Sequence, residues 1–256
     1  GSDAAYGTTS VGRRGRNGKT EADSRVVHGT LDEEKVQAHI EGKQGVGSIP
    51  INSSNNCKFG ALDIDTYDLN LEALNHKVQS MGMPLILCRS KSGGAHLFLF
   101  LKDWEPAALI REYLTEMSIA LGHSGCEIFP KQDKILAERG DVGNFINMPY
   151  FTAEETMRYA MDKKGRAMDL EQFLKAVEKK RVSAADLDKL TFGGDRKYFT
   201  DGPYCLEVMA AQGKIRDNRN ITMFAVGVYC RLKWPDDWKK HHEEYNRMLC
   251  DPALEA

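Results

Sequence analysis

Residues 58–129 carry the most regular hydrophobic pattern of the chain. Short apolar runs that are typical of strands alternate there with longer segments that have the 3.6-residue period of a helix. Strands are predicted at residues 59–65, 85–89, 95–101 and 126–129, and helices at residues 69–81 and 106–121. The order of these elements is therefore β-α-β-β-α-β.

This order constrains the fold, because it is the order of the split ferredoxin-like (RRM-like) unit, in which one antiparallel sheet carries two helices on one face. In that unit the third and fourth strands flank the first strand and run in the opposite direction. We therefore expect an α+β fold in which the end of the first strand lies beside the beginnings of the third and fourth strands.

The N-terminal segment has a different character. Residues 1–29 contain several basic residues among glycines and show no stable hydrophobic period, which predicts a mobile basic arm. The basic residues in question are Arg13, Arg14, Arg16 and Lys19. Further elements are predicted around the central unit, namely a helix at 31–40, strands at 49–51 and 144–149, and helices at 154–160 and 170–180.

The C-terminal segment predicts helices only, at residues 203–212, 218–233 and 235–248. Phe224, Val228, Tyr229 and Leu232 recur there at helical spacing, which is typical of a buried core face. We therefore expect a small all-helical module over residues 186–256, after a first domain that ends near residue 185.

Composition excludes several classes of protein. The 256 residues contain 35 Lys and Arg against 37 Asp and Glu, a net charge of -2, so the chain lacks the overall basic coat that by itself supports non-specific binding of nucleic acid. No apolar run approaches the roughly 18 residues that cross a bilayer, which predicts no membrane partner. The six cysteines are scattered without a C-x-x-C pair, so reduced thiols and a cytoplasmic location are expected.

Two carboxylates lie on one face of the first core strand. Asp63 and Asp65 are two residues apart in an otherwise apolar strand, and side chains at that spacing point the same way. Burying two like charges side by side is costly unless a divalent cation such as Mg²⁺ or Mn²⁺ lies between them. The alternative is a solvent-exposed acidic cluster at a strand end, continued by Asp68, and the D-x-D pattern alone leaves this open.

The turn between the second and third core strands has the composition of an anion site. It reads Arg-Ser-Lys-Ser-Gly-Gly-Ala-His over residues 89–96. Glycines let backbone N–H groups point into a cavity, and the serines, Arg89, Lys91 and His96 add donors, as in a phosphate cradle. The alternative is an ordinary hairpin turn in which the glycines serve only the backbone.

The fourth core strand contains an acid, Glu127. An acid in a buried strand needs a partner, which could be a metal ion or Lys131. The predicted fold brings Glu127 beside Asp63 and His96. Three carboxylates next to a phosphate cradle are what two-metal phosphoryl or nucleotidyl transfer requires.

These motifs resemble the signatures of the archaeo-eukaryotic primase (AEP) superfamily, which includes the primase-polymerases of phages, plasmids and mobile elements. The signatures are a hydrophobic-D-x-D strand, an s-G-x-H turn and a third, acidic strand. They correspond to residues 62–65, 92–96 and 126–128, with one extra glycine in the turn. The branch found in phage replication and TOTE conflict systems is resembled more specifically by residues 88–100, 127–132 and 143–150.

The resemblance implies a DNA primase or DNA-directed polymerase that synthesises primers on single-stranded DNA and can extend them, with NTPs or dNTPs as substrates and two Mg²⁺ or Mn²⁺ ions as cofactors. The implied catalytic residues are Asp63, Asp65, Glu127 and His96, of which the three acids are the implied metal ligands. The implied nucleotide contacts are Arg89, Ser90, Lys91, Ser92, His96, Lys131 and Gln132, with Asn147 and Tyr150 on the sugar or base side.

The resemblance also implies a division into domains. Residues 1–29 are the basic arm, residues 30–185 the AEP catalytic domain, and residues 186–256 the helical accessory domain of a primase. Single-stranded DNA and nucleoside triphosphates are the implied partners, together with a replicative helicase in the same chain or in a separate one. The implied location is the cytoplasm of a bacterial or phage-infected cell.

The residues leave two alternative functions to be considered. A single-stranded DNA-binding module would use Phe98 and Phe100 as stacking platforms, but three acids beside that face would repel phosphate. A metal-dependent nuclease or replication initiator on a related ferredoxin-like sheet is the second alternative. Rolling-circle initiators need a His-x-His pair, and His96 has no such partner in the sequence.

Overall fold

The computed structural model describes residues 1–14, 20–66, 68–190, 198–200, 202–211, 214–216 and 219–255. The chain divides into two compact units, Gly1–Leu190 and Thr191–Ala256. The fold is a mixture of α-helices and antiparallel β-sheets, as the sequence predicts. Within the described residues, no helix has the length and apolar character that a membrane span requires.

The first unit contains both sheets. Its elements in chain order are β1 Ala5–Arg14, β2 Thr20–His28, α1 Glu33–Ile40, β3 Gly45–Ser48, β4 Asn56–Ile64, α2 Leu71–Ser80, β5 Leu85–Arg89, β6 Ala95–Pro106, α3 Ala107–Leu121, β7 Glu127–Phe129, β8 Ile146–Asn147, α4 Leu170–Lys180 and α5 Ala184–Leu187. The helices of the second unit are α6 Tyr204–Ala211, α7 Arg219–Lys233 and α8 Trp238–Leu249.

Side-chain caps fix the starts of the helices that flank the core sheet. Asn70 accepts a hydrogen bond from the N–H of Ala73 at the start of α2. Asp169 and Gln172 form a reciprocal capping box at the start of α4. At the other end of α3, Gly122 adopts φ = 83°, the left-handed conformation that ends helices and that glycine adopts without strain.

The core sheet has the strand order β5-β6-β4-β7, and its neighbouring strands are antiparallel. The first core strand, β4, therefore lies between the third (β6) and the fourth (β7), which are the two neighbours that the sequence predicts. One face of this sheet packs on α3. The approach is so close that a Cβ added at Gly60 would lie 2.7 Å from Leu114 Cδ1. The opposite face carries Asp63, since residues alternate between the faces along a strand.

That opposite face is apolar except at one end. Ala61, Phe98 and Phe129 belong to one buried cluster that also includes Tyr150 of the following loop and Phe173 of α4. A cavity of about 440 Å³ lies over the same face. It is lined by phenylalanine rings of the sheet strands and by side chains of α1 and α4. The polar candidates therefore stand where a hydrophobic face ends.

The second sheet has the order β2-β1-β3-β8 and corrects the prediction of a mobile N-terminal arm. Residues 5–14 and 20–28 are paired strands, so the prediction is wrong for them. Thr8 and Thr9 are buried in β1, and the strand also contains glycine, so its hydrophobic period is weak although its backbone pairs on both sides. Arg16 and Lys19 lie outside the described residues.

The prediction of a helix at 154–160 is also wrong. Only a short 3-10 turn, Ala153–Glu155, forms, and the chain then extends along the free edge of β5. The N–H of Arg89 donates to Tyr159 O (2.9 Å), and the N–H of Met161 donates to Leu87 O (2.9 Å). These bonds satisfy backbone groups that a sheet edge leaves open, and they outweigh the local helical tendency.

In the second unit, one predicted core residue is buried and three are not. Tyr229 of α7 is buried within the helical cluster. Phe224, Val228 and Leu232 lie on an exposed face of the same helix, with 76%, 48% and 80% of their surface accessible. The helix is apolar on more than one side, so its spacing pattern did not identify the side that faces the core.

Lys180 at the end of α4 gives the first testable prediction. Its Nζ donates to Leu85 O (2.7 Å), and burial lowers its pKa from 10.5 to about 8. Below pH 8 the ammonium group of Lys180 is charged and partly buried in the folded protein, which lowers the free energy of unfolding. As the pH rises from 8 to 10.5, the folded state loses this proton while the unfolded chain keeps it, so Lys180 makes the protein progressively more stable across that window.

We expect Lys180→Met to lose this dependence. The free-energy difference between variant and wild type should change by about 2 kcal/mol between pH 7.5 and 10.5 in favour of the wild type, after allowance for solvent screening. Urea denaturation at both pH values measures it. Lys179→Met, at an exposed neighbouring position, is the control and should show no such change; an equal change in both variants would contradict the assignment.

Candidate active site

Asp63 stands at the centre of the polar end of the core sheet. In the ladders of β4 it is directly opposite His96 of β6 on one side and Glu127 of β7 on the other. Asp65 follows just beyond the end of β4, on the same face as Asp63. The three acids and the histidine are therefore brought to one place, as the predicted topology requires.

Each carboxylate has a partner within the protein. His96 Nε2 lies 3.4 Å from Asp63 Oδ1. The hydroxyl of Ser92 donates to Asp65 Oδ1 (3.0 Å), and Lys131 Nζ lies 2.8 Å from Glu127 Oε2. The Glu127–Lys131 ion pair that the sequence offered as an alternative is thus present.

The ligand atoms that these residues offer are of the kind that divalent cations prefer. Within the described residues, no group of three or more His, Cys, Asp or Glu side chains is gathered closely enough to hold a metal ion. The donors that Mg²⁺ and Mn²⁺ take are hard oxygens, and three carboxylates at adjacent positions of one sheet face supply them. Glu127 is exposed, so its side chain has room to turn from Lys131 towards an ion.

The turn after β5 closes over the end of β4. The N–H of Ser90 donates to Gly94 O (2.9 Å), and the hydroxyls of Ser90 and Ser92 lie 3.0 Å apart. A Cβ added at Gly94 would lie 2.3 Å from Ile64 O, so only glycine permits this approach. The close approach is what brings Ser92 within hydrogen-bonding distance of Asp65.

The two basic residues of the turn have different surroundings. Arg89 Nη1 donates to Met157 O (3.2 Å), which ties the turn to the extended segment beside β5. Lys91 is exposed and lines a cavity of about 340 Å³ together with Thr9, Phe151 and Arg158. Lys91 precedes Ser92, which contacts Asp65, whereas the guanidinium of Arg89 is bonded to the protein backbone.

Arg158 was missed by the sequence reasoning. Its Nη1 is buried and has no hydrogen-bond partner among the described residues, and burial lowers its pKa. The residue lies in the segment predicted as a helix, and only its pairing beside β5 brings it to the turn. A long-range contact of this kind leaves no local signal in the sequence.

The remaining predicted contacts are more scattered. Lys131 lies close to the carboxylates because it forms an ion pair with Glu127. The amide of Gln132 donates to Asn144 Oδ1, away from the turn, and its own Oε1 is buried without a partner among the residues described. Asn147 lies on β8 of the second sheet, where its Oδ1 accepts from the hydroxyl of Thr9 (3.1 Å).

Tyr150 requires a correction. Its side chain is buried, with 1% of its surface accessible. Its hydroxyl donates to Met168 O (2.9 Å) and accepts from the N–H of Ala160 (3.1 Å). Both hydrogen-bonding functions of the hydroxyl are therefore used inside the core, so the hydroxyl does not serve the sugar or base side on which the sequence analysis places Tyr150.

One comparison with known proteins agrees with the resemblance. A family model described as the archaeo-eukaryotic primase domain of TOTE conflict systems (AEP-TOTE) matches residues 9–190. Among solved structures, the AEP domain of the cyanophage S-2L primase-polymerase (PrimPol) matches with 13% sequence identity and a TM-score of 0.36, covering 68% of this chain and 89% of that one. A comparison with curated proteins gave no match.

The family match spans well over half of the chain. It includes the core sheet, all of the second sheet except the start of β1, the turn after β5 and every carboxylate of the candidate active site. The chain therefore belongs to the archaeo-eukaryotic primase domain family of TOTE conflict systems.

Proposed function

We propose that this chain is a DNA-templated nucleotidyltransferase, a primase-polymerase that synthesises primers on single-stranded DNA and extends them. Membership of a primase domain family supports a nucleotidyltransferase in general. The observation that carries the finer proposal is the position of Asp63 directly opposite both His96 and Glu127, beside a glycine-rich turn. A nucleic-acid-binding module without catalysis has no use for acids at that point.

Asp63, Asp65 and Glu127 are the proposed ligands of two divalent cations, Mg²⁺ or Mn²⁺. Such ions activate the attacking 3′-hydroxyl and neutralise the charge that develops on the phosphates. Asp63 is held by His96, and Asp65 by Ser92, so both carboxylates are oriented before a substrate arrives. That orientation lowers the entropy cost of assembling the reacting groups.

The proposed contacts with the triphosphate lie on the turn and just after β7. Backbone N–H groups and hydroxyls of the turn can donate to phosphate oxygens, and basic side chains of the turn and of the segment after β7 add positive charge. The residues proposed for this role are Arg89, Ser90, Lys91, Ser92, His96, Lys131 and Gln132. Asn147 is proposed to approach the sugar or base from the second sheet.

The division of labour along the chain is part of the proposal. Residues 30–185 would form the catalytic domain on a ferredoxin-like sheet, extended by the hairpin of β1 and β2. Residues 186–256 would form a helical accessory domain of the kind found in primases. Single-stranded DNA, NTPs or dNTPs and a replicative helicase are the proposed partners, in the cytoplasm of a bacterial or phage-infected cell.

A synthesis assay tests the proposal directly. The purified chain is incubated with single-stranded template, labelled NTPs or dNTPs, and Mg²⁺ or Mn²⁺. We expect labelled oligonucleotides that require both template and metal, and none when EDTA is present. Absence of product with every combination of metal and nucleotide would overturn the proposal, and DNA binding that needs no metal would then favour the binding module.

A further inference from the structure

We propose that the cavity of about 440 Å³ over the core sheet binds an uncharged, planar and largely apolar small molecule of two or three aromatic rings. The cavity is separate from the candidate active site. Phe59 of its lining lies four positions before Asp63 on β4, which is about 13 Å along a strand, and the described lining contains none of the candidate carboxylates. The proposal therefore goes beyond the proposed function and does not rest on it.

The first argument is the size of the cavity. Protein interiors are close-packed and contain few voids larger than a water molecule. A volume of about 440 Å³ lies within the range of small-molecule sites and well above the roughly 150 Å³ that holds one benzene molecule in an engineered cavity. The cavity is therefore not an ordinary packing defect, and it has room for a molecule of two or three rings.

The second argument is the arrangement of rings in the lining. The rings of Phe98 and Phe100 are stacked, with centroids 5.9 Å apart and an interplanar angle of 21°. Phe173 of α4 meets Phe100 edge-on at 6.3 Å. Aromatic rings prefer offset-stacked and edge-to-face contacts, so this lining offers a planar ligand both kinds of contact.

The third argument is that the lining has surface left for a ligand. Phe59 and Phe100 are only partly buried, whereas Ala61 and Phe98 on the same sheet face are buried. Leu174 of α4 also lines the cavity, and 53% of its surface is accessible. Two rings can therefore contact an occupant, and Leu174 places an opening of the cavity beside α4.

The charge of the lining favours an uncharged ligand. None of the described lining residues is Asp, Glu, Lys or Arg. The groups there that can ionise near neutral pH are the α-amino group of Gly1 and the imidazole of His39, and burial lowers the pKa of both. A charged ligand would therefore be desolvated without a strong partner of opposite charge.

The polar groups of the lining exclude a nucleobase. His39 Nδ1 accepts from the N–H of Val46 (3.0 Å), and its Nε2 therefore donates to Pro149 O (2.9 Å). The hydroxyl of Tyr150 is committed to the core, which leaves the hydroxyl of Ser48 as a polar handle. A nucleobase has donors and acceptors along several edges, and most of them would lose their partners here.

The experiment is a fluorescence titration of the full chain with phenylnaphthylamine, an uncharged dye of three aromatic rings that emits strongly in apolar surroundings. A pH of about 8.5 keeps Gly1 and His39 uncharged. We expect one dye molecule to bind per chain. Anilinonaphthalene sulfonate, the anionic counterpart of the dye, should bind at least about tenfold more weakly, and nucleosides should not displace the dye.

Variants locate the bound dye. Leu174→Trp places an indole at the opening and should weaken dye binding at least about tenfold. Leu136→Trp is the matched control, because Leu136 is also exposed (44%) and lies outside the lining. Phe224→Ser tests the exposed apolar face of α7 and should bind as the wild type does. Thermal melting establishes that each variant is folded, and Leu31→Trp, at another lining position, replaces Leu174→Trp if the latter is not.

Each remaining outcome counts against the proposal. No dye binding by the wild type, or equal binding by wild type and a folded Leu174→Trp, overturns the site. Loss of binding in Phe224→Ser assigns the dye to α7 and also overturns it. Equal affinity for the anionic dye, or displacement by nucleosides, overturns the proposed class of ligand. None of these measurements uses synthesis, so the result is independent of whether the chain makes primers.

Discussion

The double substitution Asp63→Asn and Asp65→Asn is expected to reduce templated synthesis at least about a thousandfold, which corresponds to a loss of about 4 kcal/mol of transition-state stabilisation. Asparagine keeps the shape of each side chain but removes the negative charge that holds a divalent cation. Without the ions, neither the attacking hydroxyl nor the phosphates are activated.

The same substitution is expected to leave the fold intact. Asp65 is exposed and Asp63 is partly exposed, and neither belongs to the hydrophobic core. The free energy of unfolding should therefore change by less than about 1 kcal/mol. Thermal melting checks this, and calorimetric titration with Mn²⁺ should show that the double variant has lost metal affinity.

Asp68→Asn is the matched control for this experiment. Asp68 lies three positions beyond Asp65, is exposed, and has φ = 59°, a left-handed conformation that asparagine also adopts readily. If the acids were merely a solvated cluster at a strand end, all three would be equivalent. We expect full synthesis from Asp68→Asn; a folded double variant with wild-type synthesis would refute the assignment of the metal ligands.

The core of the candidate site was predictable because its signals are local. The alternation in β4 and β6 fixes which residues share a face, and the order of elements fixes which strands are neighbours. Together they determine that Asp63, His96 and Glu127 meet. No knowledge of side-chain packing is needed for that step, which is why a sequence pattern is sufficient for it.

The parts that were missed depend on long-range contacts. The strand β1 buries Thr8 and Thr9 and pairs with β2 through its backbone, so it lacks the apolar alternation from which a strand is predicted. Arg158 reaches the turn only because its segment pairs with the edge of β5. Tyr150 looked like a site residue by its place in a motif, yet burial commits its hydroxyl to the core.

The chemistry of the site is therefore divided between two kinds of structure. The acids stand on strands whose register fixes their positions. The basic residues Lys91 and Arg158, in contrast, belong to a turn and to an extended segment beside β5. A site assembled in this way depends on the turn being held at the right distance. The residue that sets this distance is Gly94, because its backbone lies against the last residue of β4.

Gly94→Ala is accordingly expected to reduce synthesis by at least about a hundredfold and to lower the free energy of unfolding by about 1–3 kcal/mol. The added methyl would lie 2.3 Å from Ile64 O and 3.3 Å from Asp65 Cα, so backbone on one side or the other must move. Movement of the turn separates Ser92 from Asp65 and misplaces the donors for the triphosphate. Primer synthesis and urea denaturation measure the two effects.

Two other glycines give matched controls for this substitution. Gly125 has nothing within 4 Å of an added Cβ, so Gly125→Ala should synthesise normally and be at least as stable as the wild type. A Cβ added at Gly93 would meet Arg89 Nη2 at 3.7 Å, an ordinary contact, but φ is 95°, so Gly93→Ala should cost about 1 kcal/mol through backbone strain. If Gly94→Ala behaves like Gly125→Ala, the turn does not depend on its contact with β4; an effect larger than that of Gly93→Ala identifies the close approach as the cause.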